Sequence, residues 1–195
     1  MFKAGFLIAG LSLTGAALAL DVPGPVVDGA WVAQHASEVQ IVDIRADAYT
    51  FTSQPVYETD KKSGARILVE PAGHLSGALQ VDPKSIRVSR KLGDLTVKYM
   101  IPEKADFEAL MQKAGLNNDK PLIIVPYGMD ATDVNDAARL YWQLKYFGEK
   151  NMAILDGGLN AWIKEGRDIS SAAAAPTKGN WIAKGEVKAL LASSD

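Results

Sequence analysis

The sequence predicts an α/β domain built on a mostly parallel central sheet flanked by helices, and three observations carry that prediction. Short aliphatic runs at 40–44, 121–125 and 152–155 alternate with segments whose apolar residues recur at helical spacing. The run 121–125 (Pro-Leu-Ile-Ile-Val) is apolar throughout, as a strand buried on both faces must be. Gly157 and Gly158 then turn the last aliphatic run into another helical segment.

The elements follow in order. Residues 20–25 are extended, and Asp28 caps a short helix over 29–35 whose Trp31 and Val32 face the core. Residues 40–44 form a strand, and 45–51 are irregular or a single helical turn. Two β-prone runs, 55–59 and 66–70, flank a surface turn at 60–64. A short strand at 79–81 ends at Asp82-Pro83. Residues 84–101 are mixed, with one further strand at 95–99. Pro102 opens a helix over 103–114, in which Phe107, Leu110, Met111 and Ala114 share a face and after which Gly115 stops the chain. Strand 121–125 leads through the loop 126–132 into a helix over 133–147, expected to bury Val134, Ala137, Ala138, Tyr141 and Leu144. Strand 152–155 and helix 159–165 complete the domain. Residues 170–178 read as a linker, beyond which Trp181 and Ile182 return toward the body and 186–191 begin a helix with little to pack against.

Three segments result: a leader at 1–19, a domain at 20–169 and a linker-like tail at 170–195. The leader carries one charge, Lys3, then an apolar stretch, and ends in Ala17-Leu18-Ala19 just before the first acidic residue, Asp21. That is the pattern of a secretory signal peptide, and the stretch is short for a membrane span of about 20 residues. Export to a bacterial periplasm is expected, with no membrane association once the leader is removed. The 195 residues are 48% hydrophobic and 23% charged, with a net charge of −2, which gives no footprint for nucleic acid. There is no cysteine. Disulfides, persulfides, thiolate nucleophiles and cysteine metal ligands are thereby excluded. Two distant histidines make a poor metal site, and no cofactor is expected.

Three motifs in this order resemble the rhodanese-like (sulfurtransferase) domain over nearly all the chain after the leader. They are Ile41-Val42-Asp43-Ile44-Arg45, Gly73-His74-Leu75-Ser76-Gly77-Ala78, and Ile154-Leu155-Asp156-Gly157-Gly158-Leu159-Asn160-Ala161-Trp162. The segment 138–144 before Gly148 is similar to the helix that follows the family's active loop. The resemblance is closest to the first half of two-domain thiosulfate sulfurtransferases, which usually lacks the cysteine carried by the second half. It implies a three-layer fold. It also implies a structural role for Asp43, Arg45, Gly73, His74, Asp156, Gly157, Gly158 and Trp162.

Read from the residues alone, Asp43 and Arg45 leave a buried strand together, and pairing with each other and with loop backbone is the expected role. His74, between glycines in a tight turn, is read as a backbone anchor, because no nucleophile partners it as a base. Gly157 and Gly158 serve positive φ and close helix–sheet approach.

The loop Pro126, Tyr127, Gly128, Met129, Asp130, Ala131, Thr132 occupies the place where the family carries its cysteine. Pro126 is no nucleophile and has no N–H. Thr132 offers a hydroxyl with no route to a persulfide, so no catalytic residue is assigned. Asp130, Asp133 and Asp136 crowd the following helix start, where they stabilise the helix and occupy amides that an anion would need. The expected function is a non-catalytic binding or regulatory module in sulfur metabolism or envelope electron transport. The alternative is one half of a thiosulfate- or mercaptopyruvate-type sulfurtransferase whose cysteine lies on another domain. A protein partner is expected, such as a cysteine-bearing sulfurtransferase. A third reading makes the hairpin at 50–70 an oligomer contact.

Overall fold

A computed structural model describes residues 20–173 and 176–192. The leader expected over 1–19 lies outside the described residues. Five short parallel strands form the central sheet: β1 (Val26–Val27), β2 (Gln40–Ile44), β5 (Leu79–Val81), β8 (Leu122–Pro126) and β9 (Met152–Leu155), in the order β1-β9-β8-β2-β5. Between them in sequence run α1 (Gly29–Gln34), α2 (Ala48–Thr52), the hairpins β3 (Val56–Thr59)–β4 (Arg66–Glu70) and β6 (Val88–Leu92)–β7 (Leu95–Met100), α3 (Lys104–Ala114) and α4 (Ala131–Tyr146). Helix α5 (Gly158–Lys164) and a 3-10 turn at Lys188–Leu190 follow.

The strand period of two divides the sheet residues between two apolar layers. Val42, Ile44, Leu122 and Ile124 face α3 and α4, where Phe107, Met111, Leu140 and Leu144 cover them. Ile41, Ile123 and Val125 face the other way, against Val32 of α1 and Leu159, Trp162 and Ile163 of α5. A parallel strand buried on both faces can afford no polar side chain, and β8 has none. The α/β, three-layer expectation is met.

Three local readings are corrected. Helix α4 begins at Ala131, two residues earlier than the pattern suggested, and buries Ala137, Leu140 and Leu144, while Val134 and Ala138 lie exposed. The start is set by an Asp130–Asp133 capping box, and that start fixes which face meets the sheet. Residues 84–101 hold a full hairpin, closed by Gly93 (φ 62°) and Asp94, where one strand was expected. Of the two tail residues expected to return to the body, Trp181 packs there and Ile182 does not. Gly179 N–H donates to the Gln112 carbonyl (2.8 Å) and Trp181 N–H to that of Leu116 (3.0 Å). Trp181 is fully buried, edge-on to Phe107 with centroids 5.6 Å apart, whereas Ile182 points to solvent.

Candidate functional site

The parallel strands end together, and the crevice beyond their carboxyl ends is where such sheets receive ligands. Asp43, the fourth residue of β2, is buried, and Arg45 follows the strand directly. The Arg45 guanidinium grips the carboxylate with both arms: Nε donates to Oδ1 (2.6 Å) and Nη2 to Oδ2. The same Nη2 donates to the Gly73 carbonyl (2.8 Å), and the cation lies 5.3 Å from the ring centroids of both Phe51 and Tyr127. Burial pushes the Asp43 carboxyl above its ordinary pKa, against the opposing pull of Arg45.

His74 continues this turn. It is buried and stacked on Phe51, with centroids 4.0 Å apart. Its Nδ1 lies 2.8 Å from the Leu75 carbonyl and its Nε2 2.9 Å from the Ala172 carbonyl. Its backbone exchanges hydrogen bonds with Ser170, both 2.8 Å. A neutral imidazole donates through one nitrogen only, so both carbonyls are served only when the ring carries two protons. Either way no nitrogen faces the crevice. Both ring nitrogens of His74 lie against backbone carbonyls.

On the other side of the crevice, the loop read as 126–132 is shorter than it seemed. Pro126 is the last residue of β8, and Ala131 and Thr132 are the first of α4, so the loop proper is Tyr127, Gly128, Met129 and Asp130. Tyr127 spans to the opposite wall, its hydroxyl donating to the Pro71 carbonyl (2.5 Å). Burial raises the pKa of this phenol, and Glu70 adds to the rise. Gly128 and Gly158 permit main chain to touch main chain. A Cβ at Gly128 (φ 84°) would collide with the Gly157 carbonyl, and one at Gly158 (φ 59°) with that of Pro126. Asn160 reinforces the junction, its N–H donating to the Tyr127 carbonyl and its Nδ2 to that of Gly128, both 3.1 Å. Asp156 ties β9 to β1 through its N–H to Val27 (2.9 Å), and Trp162 donates from Nε1 to the Asp168 carbonyl (2.8 Å).

The loop amides are taken. Asp130 accepts from the N–H groups of Thr132 (2.7 Å) and Asp133 (3.1 Å). Asp133 accepts from those of Met129 (2.9 Å) and Asp130 (3.3 Å). Two carboxylates thus fill the position that backbone donors would offer an external anion. The adjoining cleft, about 550 Å³, is also lined by Asp47, Glu70 and Asp136, and its one cation, Arg45, is committed to Asp43. Asp130→Ala is expected to cost about 1 kcal/mol of stability by loss of the cap, read from the midpoint of urea unfolding.

Among the described residues no group of three or more His, Asp or Glu could hold a metal ion, and no helix is long and apolar enough to cross a membrane. Sequence reasoning missed Asn160 and Tyr127 as the bolts of the junction. The signal for Asn160 was a polar residue directly after an apolar one in the double-glycine turn.

A five-stranded parallel sheet whose central strand runs through a short loop into a capped helix, facing an Asp–Arg-anchored turn, defines an α/β domain of the rhodanese-like fold. The chain belongs to the rhodanese-like domain family, whose profile matches residues 28–165. It is 28% identical over 169 residues to the 3-mercaptopyruvate sulfurtransferase of Escherichia coli, covering 85% of this chain and 53% of that protein. It is 28% identical over 151 residues to the sulfur carrier protein TtuD of Thermus thermophilus, covering 76% of this chain and 43% of that protein. The chain thus spans about half the length of these curated relatives. The crystal structure of the 3-mercaptopyruvate sulfurtransferase SseA from Escherichia coli superposes with a TM-score of 0.60 at 25% identity, covering 84% of this chain and 56% of that one.

Proposed function

We propose that this chain is a rhodanese-like module that binds a protein partner and performs no sulfur transfer of its own. The observation that carries the reading is the strand end: Pro126 stands where a nucleophile would be presented, and the Asp130 and Asp133 carboxylates occupy the amides that would stabilise a thiolate or persulfide. The chain contains no cysteine to replace it. The reading includes export by the leader and a place in sulfur metabolism or envelope electron transport.

The test is cyanide-dependent thiocyanate formation by the purified protein, with thiosulfate and with 3-mercaptopyruvate as donors. No turnover above a boiled control is expected, and clear turnover overturns the reading. Pro126→Cys is expected to leave the protein without turnover as well, because the new thiol meets amides already engaged and a wall of carboxylates. Activity in that variant would show that the missing sulfur atom was the sole defect.

A second reading is favoured by one observation, that the chain covers about half of its relatives. In it the domain is one half of a sulfurtransferase whose cysteine lies on another domain, as a partner chain or a continuation. A one-to-one complex with a cysteine-bearing rhodanese-like chain in sedimentation, together with a raised rate of sulfur transfer by that chain, would support it. Absence of both would dispose of it.

A further inference from the structure

Next to the acidic crevice lies a second cleft of opposite character. It is about 700 Å³ and runs between the β6–β7 hairpin, the segment after β5 and the first turns of α4. Its charged lining is Lys84, Arg87, Lys98 and Arg139, against one carboxylate, Asp136. That carboxylate is already bound by Arg87 Nη2 (2.6 Å), whose Nη1 donates to the Pro83 carbonyl (2.7 Å). Lys84, Lys98 and Arg139 form no ion pair among the described residues.

Arg139 is held in place rather than neutralised. It lies 5.1 Å from the Trp142 ring centroid and donates from Nη2 to the Tyr99 carbonyl (2.8 Å), while its buried Nε has no hydrogen-bond partner among the described residues. Burial, and then the like charge of Arg87, lower the pKa of Arg139. Tyr99 presents that carbonyl from a left-handed backbone (φ 62°), the only described non-glycine residue with positive φ, at the register shift of the β6–β7 hairpin. A partly buried guanidinium, beside another and in no ion pair among the described residues, is an arrangement that a bound anion would relieve. Thr132, Ser89 and Asn135 add neutral donors at the walls.

We propose that this cleft binds a small molecule through a multiply charged phosphate- or sulfate-type oxyanion, with Arg139, Lys98 and Lys84 as its cationic contacts. The volume lies within the range of about 300–1,000 Å³ usual for small-molecule pockets. The proposal does not rest on the missing nucleophile: its cationic contacts, Lys84, Lys98 and Arg139, do not line the acidic crevice, although Ala46, Pro83 and Asp136 border both clefts.

The test is titration calorimetry of the purified chain at low salt, with inorganic pyrophosphate as the probe and with inorganic phosphate and sulfate in parallel arms. Saturable one-to-one binding of pyrophosphate is expected. Arg139→Gln should weaken it about tenfold and Lys98→Gln about fivefold, the scale of one charge-assisted contact. Lys98 is exposed, so its variant remains informative if Arg139→Gln fails to fold. Lys62→Gln, the same charge change on the turn of the other hairpin, should leave affinity within about twofold. The tighter of phosphate and sulfate identifies the group recognised. No saturable binding overturns the proposal, as does equal weakening by Lys62→Gln, which would mean diffuse surface attraction. A hexaglutamate peptide binding more tightly than pyrophosphate would also overturn it and assign the cleft to an acidic protein segment.

Discussion

Replacing Arg45 with alanine is expected to lower stability by about 3–5 kcal/mol, because it strands the buried Asp43 carboxylate without a counter-charge. For a domain of this size that is a fall in melting temperature of roughly 10 °C. The substitution also removes the donor to the Gly73 carbonyl and the cation between Phe51 and Tyr127, so the turn carrying His74 loses its tie to β2. Calorimetric melting measures the first effect. The double variant Asp43→Leu with Arg45→Met should be less destabilised than Arg45→Ala alone, since an apolar pair leaves no buried charge unpaired. A single variant that melts within about 1 °C of the parent would refute the assignment of this pair as the clamp of the site.

Trp181→Ala is expected to cost about 3–5 kcal/mol through the cavity it opens beside Phe107 and Phe147. Ending the chain at residue 169 should cost more. It removes Trp181, the backbone hydrogen bonds of Gly179 and Trp181 to 112–116, and the His74 contacts to Ser170 and Ala172. Urea unfolding of the two variants measures both losses. A truncated chain as stable as the parent would show that residues beyond 169 contribute nothing to the fold.

Much of the architecture was legible because parallel strands buried on both faces leave a plain signature: 40–44, 121–125 and 152–155 were read almost to the residue. The Asp43–Arg45 pair and the self-satisfied helix start could also be anticipated, since each follows from charge beside a core or carboxylates before a helix. The β6–β7 hairpin was not. Its strands are largely exposed, so no alternation of burial marks them, and the Gly93-Asp94 turn was the only local cue. The tail was read in part: Trp181 returns to the body as its size beside a polar run suggested, but Ile182, the next apolar residue, faces solvent, because neighbours in an extended segment point to opposite sides. The basic cleft was invisible in sequence because Lys84, Arg87, Lys98 and Arg139 come from three separate segments.

The Asp130–Asp133 capping box has a competitive consequence. A carboxylate tethered a few bonds from the amides it occupies behaves like a ligand present at millimolar effective concentration or more, at no cost in translational freedom. A free oxyanion at micromolar levels must displace an inhibitor that never diffuses away. Restoring an anion hole at this strand end is therefore a problem of removing resident competitors before it is one of supplying a sulfur atom.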